Sequence, residues 1–202
     1  DKNEHNLPYV KMPVAGRYVA LELAKRENRL TLFKIIEPEA RNQWVEQRIK
    51  SIIRDMRLLE TAIKSAQLPK LYGENSFPEA ERFAVLSPVK NKMEFDYFIN
   101  VCNRCFVESI ENYGKSIGKK DYFWMDIRSN YKTLFEILHR IKVYRHSSDH
   151  LQLKDRVAQQ YQQYWKEDTE NIADTDECYF CIQQKLLEKL LTSLQIEMGE
   201  IT

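Results

Sequence analysis

The sequence predicts a predominantly α-helical fold, most simply an antiparallel bundle of about five helices built from residue 38 onward. Three observations carry this expectation. Apolar residues recur every three to four positions through several long segments. Proline and glycine cluster between those segments instead of inside them. No internal repeat or low-complexity tract suggests another architecture.

Residues 1–37 are set apart as a lead-in. Pro8, Pro13 and Gly16 punctuate its start without periodicity. Two short apolar runs follow, Tyr18 to Leu23 and Leu30 to Ile36, flanking the polar Lys25-Arg26-Glu27-Asn28. They read as a small N-terminal β-hairpin, with a helix over 17–26 as the competing reading.

The helical domain is placed at 38–202. Pro38 suits a first helical turn, where a missing N–H costs nothing. From there Trp44, Ile49, Ile52, Ile53, Met56, Leu59 and Ile63 keep helical spacing to about Ala66. The opposite face, Arg41, Glu46, Arg48, Lys50, Arg54, Asp55, Arg57 and Glu60, alternates in sign and reads as solvated. Pro69, Gly73, Asn75, Pro78 and Pro88 make 68–92 the longest connection, and Phe77, Phe83, Val85 and Leu86 suggest that it packs against the domain.

Phe95, Ile99, Cys102, Phe106, Ile110 and Tyr113 mark a helix over about 93–114, with Gly114 as a candidate C-terminal cap. After Gly118 comes a helix striped by Ile127, Tyr131, Leu134, Phe135, Leu138, Ile141 and Tyr144, which delivers Arg145 at its end. Ser147, Ser148 and Asp149 are good N-caps for a further helix through Leu151, Val157, Tyr161, Tyr164 and Trp165. The polar stretch from Glu167 breaks the pattern, and a last helix over about 176–198 carries Cys181, Ile182, Leu186, Leu187, Leu190, Leu191 and Leu194.

Composition narrows the function. The chain is 43% hydrophobic and 30% charged, a globular balance, and 202 residues can bury a sizeable core without staples. No apolar run approaches the length that crosses a bilayer, and the first residues hold no apolar signal core, so no membrane contact and a cytoplasmic setting are expected. The chain starts at Asp1 and not at Met, which leaves room for additional domains of a larger protein. With 31 basic against 30 acidic residues there is no global attraction to nucleic acid, so any RNA binding must be local.

That locality is the stretch from His139 to His150, which holds three of the four histidines together with Arg140, Lys142 and Arg145, against Asp149 as its sole acid. Histidine exchanges protons near neutral pH, and arginine holds a phosphate with a fixed fork of donors. The run Arg145-His146-Ser147-Ser148-Asp149-His150 resembles the R-x(4–6)-H signature of the HEPN family of helical ribonucleases, which usually has a polar residue after the arginine. Arg140 to His146 also satisfies the spacing. Arg145 with His150 is preferred because His146 then fills the polar position.

The resemblance implies metal-independent cleavage of RNA without a cofactor. His150 would activate the ribose 2′-hydroxyl or protonate the leaving oxygen, and Arg145 would hold the phosphate. His146 is auxiliary, while Arg140 and Lys142 are candidates for substrate binding. The products would be a 2′,3′-cyclic phosphate and a 5′-hydroxyl. The family also implies a homodimer whose two motifs line one cleft, and a setting as a toxin or antiviral defence effector restrained by a partner such as an antitoxin. On one continuous helix, residues five apart lie roughly 140° around the axis. A break at 147–149 is therefore expected, with His150 in the first turn of the next helix.

Other chemistries are weaker. Cys102 and Cys105, with Cys178 and Cys181, form two C-x2-C pairs that could supply a structural zinc site. Both pairs lie inside helical patterns, and core packing is the favoured reading. His146, His150 and Asp149 could hold a metal on a continuous helix, which leaves the arginines without a role. Tyr122, Phe123, Trp124, Tyr161, Tyr164 and Trp165 could stack on bases, although core packing is commoner. Gly-rich phosphate loops and G-x-S-x-G elbows are absent. The rival to an endoribonuclease is a non-enzymatic helical protein-interaction or RNA-binding module.

Overall fold

The computed structural model describes residues 38–73, 77–149, 155–169 and 175–201. The lead-in, where a hairpin or a helix over 17–26 is expected, lies outside the described residues. Among the described residues the regular structure is entirely helical, so the all-α expectation holds.

Helix α1 (Pro38–Ser65) starts at its proline and buries Trp44, Ile49, Ile52, Met56, Leu59 and Ile63. At roughly 1.5–3 kcal/mol for each large apolar side chain taken from water, this stripe fixes which face turns inward. It lies along α8 (Thr175–Ile201), whose Phe180, Ile182, Leu187, Leu190 and Leu194 are buried in the same core. Part of the face expected to be solvated is instead an interhelical seam. Arg41 grips both carboxylate oxygens of Glu177 at 2.7 and 2.8 Å, Arg48 meets Glu188, and buried Asp55 accepts from Gln195 at 3.1 Å. Alternating charge signs along one helix could not reveal carboxylates supplied some 140 residues later.

The long connection does pack. It contains the short helix α2 (Ala80–Ala84), and Phe77, Phe83, Leu86 and Val89 are buried. Gln183 of α8 accepts from the Val89 N–H and donates to the Ser87 carbonyl, both at 2.9 Å. The Tyr122 and Tyr131 hydroxyls donate to the Lys70 and Pro69 carbonyls. Val85 departs from expectation and stands 72% exposed.

Helix α3 (Lys92–Cys102) is capped by Asn91, whose side chain accepts from the Glu94 N–H. It runs through a π-helical stretch, Asn103–Glu108, into α4 (Ser109–Ser116). Gly114 is not the cap. It is buried inside α4, where a Cβ would stand 2.3 Å from the Tyr122 Cβ and 2.9 Å from the Lys119 carbonyl oxygen. The left-handed residue is Gly118, at φ +79°. Gly114→Ala must push the next segment away, and a loss of about 1–3 kcal/mol is expected by urea titration; a stability equal to wild type would contradict that contact.

A second π-helical stretch, Phe123–Ile127, and the single turn α5 (Arg128–Asn130) lead to a break at Tyr131, beyond which α6 (Lys132–Asp149) begins. Buried Glu197 of α8 accepts the Leu134 backbone N–H at 2.9 Å and so caps α6 from another element. Burial holds its carboxyl above the usual range, against the pull of the Leu134 and Thr133 N–H groups. An acid whose folded pKa is raised binds its proton more tightly folded than unfolded. Stability therefore falls as pH rises through that range and levels off above it. Glu197→Gln keeps an acceptor and should flatten this slope, whereas Glu197→Ala should lose about 1–2 kcal/mol at any pH. Thermal melts at pH 4 to 8 decide between these effects.

Helix α7 (Asp155–Thr169) packs on α6 and α8, and α8 touches α1, α3, α6 and α7. No described helix is long and apolar enough to cross a membrane.

Candidate functional site

Helix α6 carries the candidate stretch as far as Asp149 without interruption. The break expected at 147–149 is not found there. Ser147 turns its hydroxyl back onto the Tyr144 carbonyl at 2.7 Å, the alternative a serine always has to capping. The next described helix begins at Asp155, and His150 lies outside the described residues.

Helical geometry sorts the stretch into faces. His139, Lys142 and His146 follow one stripe, and Arg140, Tyr144 and Ser147 another. Arg140 donates to Asp168 at 2.7 Å and to Glu167 at 2.6 Å, and its guanidinium lies 4.0 Å from the Tyr164 ring centroid. Asp168 is fully buried and also accepts from the Tyr144 hydroxyl and from Lys189, each at 2.8 Å. Burial pulls the Arg140 pKa down, but Asp168 and Glu167 outweigh it and the net shift is upward. For Lys189 burial prevails over Asp168, and its pKa is lowered. Burial likewise dominates at Tyr144, whose hydroxyl is held far above its ordinary range.

Lys142 pairs with Glu111 at 2.8 Å, and Arg145 stands 3.9 Å from Glu108. The local positive patch is thus met by carboxylates from elsewhere in the chain, which counting residues 139–150 alone overlooks. Arg145 is the most exposed of the three cations, its side chain at 29% against 12% for Arg140 and 18% for Lys142. Glu108 ends the π-helical stretch and also accepts from buried Asn103 at 2.8 Å. Local widening of a helix re-aims its side chains and is frequent at functional sites.

His139 is half-buried in an aromatic nest. It stacks on Phe135 at 5.8 Å and 12°, meets Trp124 edge-on at 5.4 Å, and approaches the Tyr164 hydroxyl through Nδ1 at 3.4 Å. Burial lowers its pKa, and Lys142, Arg128, Arg156 and His146 act in the same direction. A neutral imidazole is the form favoured there.

The four cysteines are all buried, as the core reading expects. Burial raises the Cys102 thiol well above its ordinary range and pushes Cys105 up to about 12, so both favour the thiol over the metal-binding thiolate. Among the described residues no three His, Cys, Asp or Glu side chains converge as a metal site. Tyr161 and Trp165 belong to an aromatic seam with Tyr144 and Tyr179, and Trp124 remains 39% exposed.

Sequence reasoning missed Glu108, Glu111 and Asp168. Nothing in their spacing marks them, because each is defined by a partner 21 to 37 positions away. Comparison with family models, curated proteins and solved structures finds no match for this chain.

Proposed function

We propose that the chain is a HEPN-like, metal-independent endoribonuclease in which Arg145 and His150 act on the scissile phosphodiester and His146 assists. The observation that supports this most is the placement of Arg145 and His146 together at the end of α6, with Arg145 the most exposed cation of the stretch. Arginine offers two parallel donors to a phosphate, and histidine supplies the proton transfer that attack by a 2′-hydroxyl requires. Arg140, enclosed by Asp168 and Glu167, belongs to the scaffold in this reading, and Lys142 with Glu111 sits at the margin of the site. A homodimer that brings two motifs together, and a toxin or defence setting with a restraining partner, remain part of the proposal.

The test is cleavage of a mixed RNA pool in EDTA by wild type beside folded Arg145→Ala and His150→Ala proteins. Cyclic-phosphate ends from wild type alone support the reading; identical behaviour of all three sinks it. A helical interaction module is the second reading, favoured by exposed Val85, Met93 and Tyr97, which line one apolar groove with Pro88 and Phe98.

A further inference from the structure

Beside the start of α1 the described surface opens into an apolar groove. Val85 is 72% exposed, Met93 77% and Tyr97 59%, and Pro88 and Phe98 line it with them. These side chains are held from beneath. Leu86 and Val89 are buried, and Gln183 pins the connecting segment at the Val89 N–H and the Ser87 carbonyl. Asn91 caps α3, on which Met93 and Tyr97 stand one turn apart on the same face. The groove is therefore built before anything enters it.

Its charged lining groups are one of each sign, Lys90 and Glu94, and the Glu94 carboxylate accepts the Lys90 N–H at 2.8 Å. A groove without net charge has little to hold a chain of phosphates. Large apolar side chains standing together in water suit an apolar occupant.

Asn42 also lines the groove, about 6 Å along the axis of α1 from Pro38. The chain thus enters the described structure at the edge of the groove. Directly before that entry the sequence reads Leu30-Thr31-Leu32-Phe33-Lys34-Ile35-Ile36, the second apolar run of the lead-in. Fully extended, a run of this length spans at most roughly 25 Å, enough to cross a groove built from one turn of α3 and the segment before it. Leu58, 52% exposed, stands roughly 30 Å along α1 from Pro38 and is beyond that span.

We propose that residues 30–36 dock in the groove of Val85, Met93 and Tyr97, so that the chain itself supplies the occupant. Tethering chooses this occupant over a second copy or a free partner. A short flexible connection holds the run near the groove at an effective concentration on the order of millimolar, which a free competitor has to match. Charge agrees: Lys34 is the one ionic group of the run, and Glu94 forms no ion pair among the described residues. The inference depends on neither functional reading. An interaction partner for this groove would first have to displace the run.

The experiment is oxidation of the full chain by dilute hydrogen peroxide, followed by peptide mass spectrometry at successive times. Methionine oxidation tracks access of solvent to the sulfur. Met125, 65% exposed and far along the chain, is the internal reference for Met93. In wild type Met93 should oxidise about tenfold more slowly than Met125, as a docked population of about nine in ten requires. In Leu32→Asp/Phe33→Asp the two rates should become alike, and Leu58→Asp should change neither. Val85→Asp, an exposed change on the groove side, gives a second readout by hydrogen exchange: amides of 31–36 protected in wild type should lose that protection. Met93 oxidising as fast as Met125 in wild type would overturn the docking. So would slow oxidation that Leu32→Asp/Phe33→Asp leaves untouched, or amides of 31–36 as protected in Val85→Asp as in wild type. Protection of Met93 that grows with protein concentration would give the groove to a second copy and overturn the proposal as well.

Discussion

Asp168→Ala is expected to destabilise the fold by about 3–5 kcal/mol, the range seen when one partner of a buried ion pair is removed. Asp168 is fully buried and accepts from Arg140, Lys189 and the Tyr144 hydroxyl, joining α6, α7 and α8 at one carboxylate. Without it Arg140 retains Glu167, an exposed partner, while Tyr144 loses the acceptor of a buried hydroxyl. Lys189, 40% exposed, can turn toward water and contributes least. Asp168→Asn keeps an oxygen for Tyr144 but loses the charge that offsets Arg140, so an intermediate loss is expected. For a domain of this size each kcal/mol moves the melting temperature by roughly 2–4 °C. A drop of about 6–20 °C by calorimetry therefore checks the claim. A shift of under about 2 °C would show that the carboxylate is not the hub the geometry makes it. On the proposed ribonuclease reading, which assigns Arg140 to the scaffold, the Asp168→Ala protein below its melting point should match wild type in RNA cleavage.

The same hub shows where the sequence is silent. The helices were legible because burial imposes a period. The stripe Trp44, Ile49, Ile52, Met56, Leu59 and Ile63 predicts α1 to within a residue or so, and the leucines of α8 find its start to within a residue and its end three residues short. The π-helical stretches were not, since one extra residue per turn leaves the apolar pattern nearly intact while rotating everything after it. Gly114 was misread because a glycine near the end of a stripe looks like a cap, and only the approach of Tyr122 shows that it is a packing residue. At Ser147 the local signal for a cap competes with a hydroxyl bond back to Tyr144, and the helix continues. The candidate stretch could be found by its composition, but the roles of its cations are decided by Glu108, Glu111, Glu167 and Asp168, which no local rule reaches.

On the proposed ribonuclease mechanism, His150→Ala should lower the rate of RNA cleavage about 10²–10⁴-fold, the usual contribution of a positioned general acid or base. In the step proposed, the 2′-oxygen loses its proton and bonds to phosphorus, the bond from phosphorus to the 5′-oxygen breaks, and that oxygen takes a proton. A 2′,3′-cyclic phosphate and a 5′-hydroxyl result, with no oxidant or metal required. Arg145→Ala removes the donors that the proposal assigns to the charge building on phosphorus, and a loss of about 10²–10³-fold is expected. The double variant should lose little more than the worse single one, because groups that serve one transition state are not additive. Lys142→Ala, tied to Glu111, should act mainly on stability. Three measurements fix the outcome: initial rates in EDTA, the chemical nature of the new ends, and resistance of a 2′-O-methyl strand. Rates per protein should also fall on dilution if two motifs must meet. Cleavage that requires a metal, leaves 3′-hydroxyl ends or survives both single substitutions would remove Arg145 and His150 from the chemistry.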